Sequence, residues 1–450
     1  VPQAPLAEAL SRSPARSRVA FYLADLNGGG VQKVMLALAR GVAARGHAVQ
    51  LLTCDAEGPL RAELPASAEL VVLEAAHPLR ARLLPFAADP GGAGALLRPV
   101  LLPRRGSATL PYLPSLARAL RRTRPDALVS ATPYLNLEAV WARALGRVPL
   151  RLLVTDHVAP SEKLVDSKNW RQRYLPPLLR RSYLEADAIG AVCDALGDDL
   201  ARVYGIPRAR IATLYNPVVS PELLAAARVP LEHPWFAAGA APVVLGAGRL
   251  GEQKDFGTLV RAFARVRARR AARLVILGAA KDAPKTAERQ EELRALAERL
   301  GVAADVELPG FVANPFPYMA RASLFALSSR FEGLGNVLIE AMACGCPVVS
   351  TDCPVGPAEI LEQGRYGRLA PVGDDAALAQ AIEASLDAPA DRAALRARAS
   401  HFSVERAVDR YLELLFPNAS PAAADTPAAA ATIGRTESGT RRGCPASAGP

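Results

Sequence analysis

The 450-residue chain has no long apolar run. Its longest stretch without a full charge, residues 233–248, is interrupted by Pro and Gly. A membrane-spanning helix needs about 20 apolar residues, so no transmembrane span is expected. The opening VPQAPLAEALSRSPARS lacks the apolar core of a signal peptide, and the cytoplasm is the expected location. Cysteine is scarce: six residues do not make a disulfide framework. Cys344, Cys346 and Cys353 cluster at a spacing that matches no common zinc motif, and read as small buried thiols. Lysine is scarce too. Only six of the 54 basic residues are Lys, a bias that genome composition can produce without selection for Arg chemistry.

What the chain does have is apolar mass. Half of its residues are apolar and 22% are charged, enough for a sizeable core and against wholesale disorder. The length suggests two large α/β units or three smaller domains. The net charge of +10 is unevenly placed. Residues 1–218 carry 28 basic and 18 acidic side chains, whereas residues 219–450 carry 26 of each. A basic half beside a neutral one suggests that the first half meets a phosphate, an acidic lipid surface or a nucleic acid.

Short apolar runs alternate with helical patterns. Strands are expected at 18–25, 48–53, 69–73, 126–130, 150–155 and 187–192. The pattern pauses in a Pro-, Ala- and Gly-rich stretch and resumes at 242–248, 272–278, 305–310, 323–329, 346–351 and 365–370. Strands spaced by helices argue for parallel sheets covered on both faces. The expected fold is α/β, with two doubly wound Rossmann-like domains and a cleft between them. The expected boundaries are an N-terminal extension at 1–17, a first domain at 18–218, a linker at 219–241, a second domain at 242–400, a closing helix at 401–416 and a low-complexity, disordered tail at 417–450. Residues 76–114 read as a long recognition loop. Residues 168–187 interleave Arg with Trp, Tyr and Leu in an amphipathic pattern broken at Pro176–Pro177, which suits either a membrane interface or an ordinary surface helix.

Five motifs carry chemistry. In RFEGLGNVLIEAMACGCPVV (330–349), seven residues separate Glu332 from Glu340. Gly333, Leu334, Gly335 and Asn336 form a turn into a helix from about Asn336 to Ala343. Such a turn presents backbone N–H groups and the positive end of the helix dipole to a phosphate. The two carboxylates suit sugar hydroxyls. In GAGRLGEQKDF (246–256), Arg249 and Lys254 lie between a strand and a helix, where two cations suit a diphosphate leaving group. In DLNGGGVQKV (25–34), Gly28, Gly29 and Gly30 permit close approach of a ligand, or simply make a tight turn; Asn27 and Lys33 could add contacts. His157 lies past a strand in VTDHVAP (154–160), with Asp156 a weaker candidate, and a lone His is often structural. Asn216, in LYNPV (214–218), lies at the cleft floor or in a plain linker turn.

Together these residues resemble the retaining GT-B glycosyltransferases of glycosyltransferase family 4, over most of residues 18–416. The resemblance implies a nucleotide-sugar donor held mainly by the second domain, transfer with retention, and no required metal or other cofactor. It implies that Arg249 and Lys254 hold the donor diphosphate, Glu332 the sugar hydroxyls and Glu340 the ribose. The N–H groups at Gly335–Asn336 would face phosphate, Gly28–Gly30 would close the site from the first domain, and His157 would lie near the donor sugar. Gly278–Ala279–Ala280 departs from the Gly-x-Gly common among relatives. TDCPVGPAEIL (351–361) is similar to bacterial envelope-glycan transferases. That implies UDP as the nucleotide and a glycan or polyprenyl-diphosphate acceptor. It also implies peripheral contact of the basic first domain with anionic membrane at the inner face of the plasma membrane.

No carboxylate nucleophile stands at a motif position in the first domain; the resemblance implies front-side displacement, in which the leaving phosphate helps deprotonate the acceptor. A non-catalytic sugar-nucleotide-binding or scaffold protein on the same fold is the alternative. A nicotinamide-dependent oxidoreductase is disfavoured because the first Gly turn is not GxGxxG. No nucleic-acid-binding motif accompanies the basic half, and no nucleic-acid partner is expected.

Overall fold

The computed structural model describes residues 17–101, 107–165, 174–388 and 391–417. All but the first residue of the expected tail at 417–450, nearly all of the 1–17 extension and residues 166–173 lie outside the described residues.

The strands of the first lobe are β1 (Arg18–Leu23), β2 (Ala48–Thr53), β3 (Glu69–Val72), β4 (Ala127–Ala131), β5 (Arg151–Asp156), β6 (Ala188–Ala191) and β7 (Ile211–Thr213). Those of the second are β8 (Val243–Ala247), β9 (Arg273–Leu277), β10 (Val306–Gly310), β11 (Leu324–Leu327), β12 (Val348–Thr351) and β13 (Arg368–Ala370). The helices that matter for the site are α1 (Gly30–Ala44), α2 (Pro133–Gly146), α3 (Leu175–Leu184), α4 (Asp194–Tyr204), α5 (Phe256–Arg267), α6 (Asn336–Ala343), α7 (Arg392–Ala399) and α8 (Val404–Leu415).

Both sheets are parallel and doubly wound. The first runs β3-β2-β1-β4-β5-β6-β7 and the second β10-β9-β8-β11-β12-β13. Their strands are near-continuous apolar runs because helices cover both faces: every residue of β4 and β8 is buried. In each sheet the strand order reverses beside the first strand. The crevice opens there, between the loops after β1 and β4 in one lobe and after β8 and β11 in the other.

Helix α8 closes the fold by returning to the first lobe. Val408, Tyr411 and Leu415 join Phe21, Met35 and Leu38 in one core. The crossover is fixed by Val218 and Val219 N–H groups donating to the Phe402 carbonyl, at 2.9 and 3.0 Å, and by Val404 N–H donating to Val219 at 3.0 Å.

Two local expectations need correcting, and one strand was not expected. Residues 76–114 are not simply a loop: they hold helix Pro78–Ala88 and further helical turns. Pro176 and Pro177 sit in the first turn of α3, where their missing N–H groups are orphans anyway, so they start that helix rather than break it. The segment before Leu214 forms the short strand β7.

Candidate active site

The site is built where the two switch points meet. Lys254 lies in the loop after β8 and Glu332 in the loop after β11, the neighbouring strand. Lys254 Nζ donates to Glu332 Oε1 at 2.6 Å, and both side chains are nearly buried. Ser329 Oγ donates to the same oxygen at 2.6 Å. The two loops are stitched together by backbone and side chain. Ser328 Oγ donates to the Lys254 carbonyl at 2.8 Å, Gln253 Nε2 to the Phe331 carbonyl at 3.0 Å and Arg330 N–H to the Gln253 carbonyl at 2.8 Å.

Glu340 lies in the second turn of α6, as expected. Burial pushes its carboxyl above the usual range, opposed by the positive charges of Lys33 and Lys254. Lys33 belongs to α1 of the first lobe, so charges from both lobes act on one carboxylate. Gly335, with φ 101°, turns the chain into α6, and no side chain caps that helix. The first N–H groups of α6 therefore remain available to an anion. Arg249 is exposed and makes no hydrogen bond or ion pair among the described residues. It lies on the same sheet edge as Lys254, but it is Lys254 that the structure brings to both acids.

The Gly-rich turn sits at the N-terminus of α1, which also lacks a side-chain cap. Gly28 needs its glycine because φ is 92°. At Gly30 a Cβ would meet nothing within 4 Å, leaving open room at that helix start. Asp25 holds the turn by accepting from Asn27 N–H at 2.9 Å and Gln32 Nε2 at 3.0 Å.

Gly333 and Asn336 touch the first lobe. A Cβ on Gly333 would lie 1.9 Å from the His157 carbonyl oxygen, so no side chain fits between the loop after β11 and the end of β5. Asn216 Nδ2 donates to Asn336 Oδ1 at 2.8 Å, and Asn216 Oδ1 is buried without a full hydrogen bond. His157 is buried, and desolvation lowers its pKa to about 4 although Asn216 beside it opposes the shift. The imidazole is therefore neutral at pH 7, able to hydrogen-bond a hydroxyl but not to supply a cation. Its Nε2 stands 3.2 Å from Thr155 Oγ1. Asp156 faces inward and accepts from Tyr183 Oη at 2.7 Å.

Sequence reasoning missed Glu138. On α2, fully buried, it accepts from Tyr22 Oη at 2.8 Å, Thr109 Oγ1 at 2.7 Å and Ser107 Oγ at 3.2 Å. Burial raises its pKa to about 7, against those three donors. A Glu amid WARAL-type apolar spacing carried no motif that could have marked it. Among the described residues, no group of three His, Cys, Asp or Glu side chains is placed to hold a metal ion.

Two family descriptions match successive parts of the chain: Glycosyltransferase Family 4 over residues 28–220 and Glycosyl transferases group 1 over residues 241–388. Both descriptions are of glycosyltransferases, and between them they take in both lobes. The boundary between the two matches falls in the linker between the sheets. The chain is 31% identical over 252 residues to the Campylobacter jejuni N-acetylgalactosamine-N,N'-diacetylbacillosaminyl-diphospho-undecaprenol 4-alpha-N-acetylgalactosaminyltransferase, covering 56% of the chain and 64% of the relative. It is 36% identical over 180 residues to the Rhizobium meliloti lipopolysaccharide core biosynthesis glycosyltransferase LpsE, covering 39% of the chain and 50% of the relative. The chain thus spans between half and two thirds of the length of these curated relatives. Its fold is the two-lobed GT-B fold of Anabaena HepE, solved in complex with UDP and glucose. The TM-score is 0.65 and the identity 21%, over 88% of this chain and 98% of that one.

Proposed function

We propose that this chain is a glycosyltransferase that moves a sugar from a UDP-hexose or UDP-N-acetylhexosamine to a lipid-linked or polysaccharide acceptor in envelope-glycan synthesis, with retention and without a metal. One observation carries the reading: Lys254 pairs with Glu332 and its charge also acts on Glu340 of α6, a helix whose N-terminus has no side-chain cap. The ammonium and the helix end suit the diphosphate, Glu332 the sugar hydroxyls and Glu340 the ribose. Arg249, exposed at the rim, swings onto the diphosphate when the donor binds. The α1 N-terminus at Gly28–Gly30 covers the phosphates from the other lobe, with neutral His157 beside the sugar.

The acceptor hydroxyl oxygen bonds to the anomeric carbon as the C1–O bond to the diphosphate breaks. The electron pair goes to the β-phosphate oxygen, which takes the acceptor's proton. Fixed positive charge at Lys254 and α6 stabilises that developing anion, the task a divalent cation performs elsewhere. The named chemistry of the relatives supports the acceptor class: one acts on a diphospho-undecaprenol and one in lipopolysaccharide core synthesis.

The membrane contact is supported by helix Pro78–Ala88, where Leu79 and Leu83, one turn apart, are 65% and 59% exposed. Arg80 is exposed on the same helix, and Arg98 lies 4.7 Å over the Tyr174 ring nearby. Exposed leucines flanked by guanidinium groups suit an anionic bilayer surface.

The deciding experiment measures UDP release and product anomer from UDP-sugars with a membrane extract. The Glu332→Gln variant should slow transfer by two orders of magnitude or more with no glycosyl-enzyme in intact mass spectra. A covalent adduct would reject front-side displacement, and the absence of turnover across UDP-, GDP- and ADP-sugars would reject the function.

A further inference from the structure

Helix α4 of the first lobe has no cap of its own. Cys193, in the N-cap position, points its thiol at the Gly333 carbonyl of the donor loop, 3.3 Å away. Asp194, in the first turn, turns its carboxylate to Arg208 at 2.9 Å and to Thr213. The cap comes from the other lobe. Glu359, in the turn Pro357–Ile360, accepts from Asp194 N–H at 3.0 and 2.9 Å through its two oxygens and from Ala195 N–H at 3.3 Å. Tyr215 Oη, two residues past β7, donates to it at 2.8 Å.

The turn bearing Glu359 is itself held. Arg398 of α7 donates to the Glu359 carbonyl at 2.7 Å and the Ile360 carbonyl at 2.9 Å, and pairs with Glu362 at 3.1 Å. On its other side this turn abuts the donor loop: a Cβ on Gly356 would lie 2.1 Å from the Leu334 carbonyl oxygen. A carboxylate on a helix N-terminus satisfies orphan N–H groups and the helix dipole together. Here the acid and the helix sit on different lobes, so the bonds exist only while the cleft is closed.

We propose that Glu359 is a positioning residue that registers the donor lobe on the acceptor lobe, holding the Leu334–Gly335 turn in place for transfer. This rests on the functional reading above. When the lobes part to admit or release a nucleotide, water replaces Glu359 on α4. When they close, Glu359 finds α4 and Tyr215, and Gly333 reaches the end of β5.

The test uses the full chain, with UDP as the binding probe and hydrogen exchange as a readout independent of activity. In Glu359→Ala, amide exchange at residues 194–196 should speed up at least tenfold, UDP affinity should stay within twofold, and turnover should fall at least tenfold. Glu359→Gln keeps one acceptor and should fall between the two. Tyr215→Phe removes one neutral bond, guards against a folding artefact, and should shift exchange and turnover in the same direction by a smaller factor. Unchanged exchange, unchanged turnover, or a loss of UDP affinity matching the loss of turnover would each overturn the proposal. A wild-type chain that neither binds UDP nor consumes a UDP-sugar would sink the functional reading instead, with the exchange arm still deciding the clasp.

Discussion

Lys254 and Glu332 are 78 positions apart, and their side chains meet at 2.6 Å inside the second lobe. The pair is nearly dry, with Glu332 only 7% exposed. Breaking a buried pair by removing one partner costs about 3–5 kcal/mol, because the other charge is left uncompensated. Lys254→Ala should therefore destabilise the protein by about that much, since only the Ser329 hydroxyl remains on the carboxylate. Lys254→Met with Glu332→Gln should recover most of the loss while leaving transfer abolished. Denaturant titration of the single and double variants checks this; equal losses in both would show that the pair is not a coupled unit.

Two buried groups of the first lobe push stability in opposite directions with pH. His157 has its pKa lowered to about 4, below the unfolded value of 6.5. Between those values only the unfolded chain holds the proton, so stability rises with pH by about 1.4 kcal/mol per unit. Glu138 has its pKa raised to about 7, above the unfolded 4.5. There only the folded chain holds the proton, and stability falls with pH at a similar slope. The two contributions cancel between about pH 4.5 and 6.5. Relative to wild type, His157→Gln should lose stability as pH rises through that window, and Glu138→Gln should gain it. Parallel curves for wild type and both variants would contradict the assignment.

The leucine face of helix Pro78–Ala88 makes a separable prediction. Co-sedimentation with vesicles containing anionic lipid should drop several-fold in Leu79→Ser/Leu83→Ser, while UDP release in solution stays unchanged. Raised salt should weaken wild-type binding, since exposed Arg80 and Arg98 act through a screened potential. Equal sedimentation of wild type and variant would place the membrane contact elsewhere.

Much of this molecule was legible in its residues, for reasons that also explain what was not. Runs such as ALVS and VVLGA are apolar on both faces because helices cover both, so period and length identify the strands. The Gly335 turn into α6 was legible because a left-handed residue before a helix favours Gly. β7 was not, since a three-residue edge strand has too few positions to show a period. Helix Pro78–Ala88 was hidden by Pro78 and Pro85, which read as loop. That Lys254 pairs with Glu332, and Glu359 with α4, depends on strand order and lobe closure, neither of which leaves a local signature.

The return helix rests on a single missing side chain. A Cβ on Gly41 of α1 would lie 2.4 Å from Val408 Cγ2 and 3.2 Å from Val404 Cγ1. Glycine inside a helix is worse than alanine by about 1 kcal/mol, so propensity alone predicts that Gly41→Ala stabilises. Packing predicts the reverse. Val408 is fully buried among Met35, Leu38 and Tyr411, and a β-branched side chain has no second rotamer to retreat into. Overpacking of this kind costs about 1–3 kcal/mol and should outweigh the gain. Gly41→Ala should lower the unfolding midpoint, and Gly41→Ala with Val408→Ala should lie above the Val408→Ala single variant, since the added methyl then fills the space the valine vacates. A Gly41→Ala protein more stable than wild type would mean that α8 does not press on α1 at this point, and that the Arg45–Asp409 pair beside it holds the helix instead.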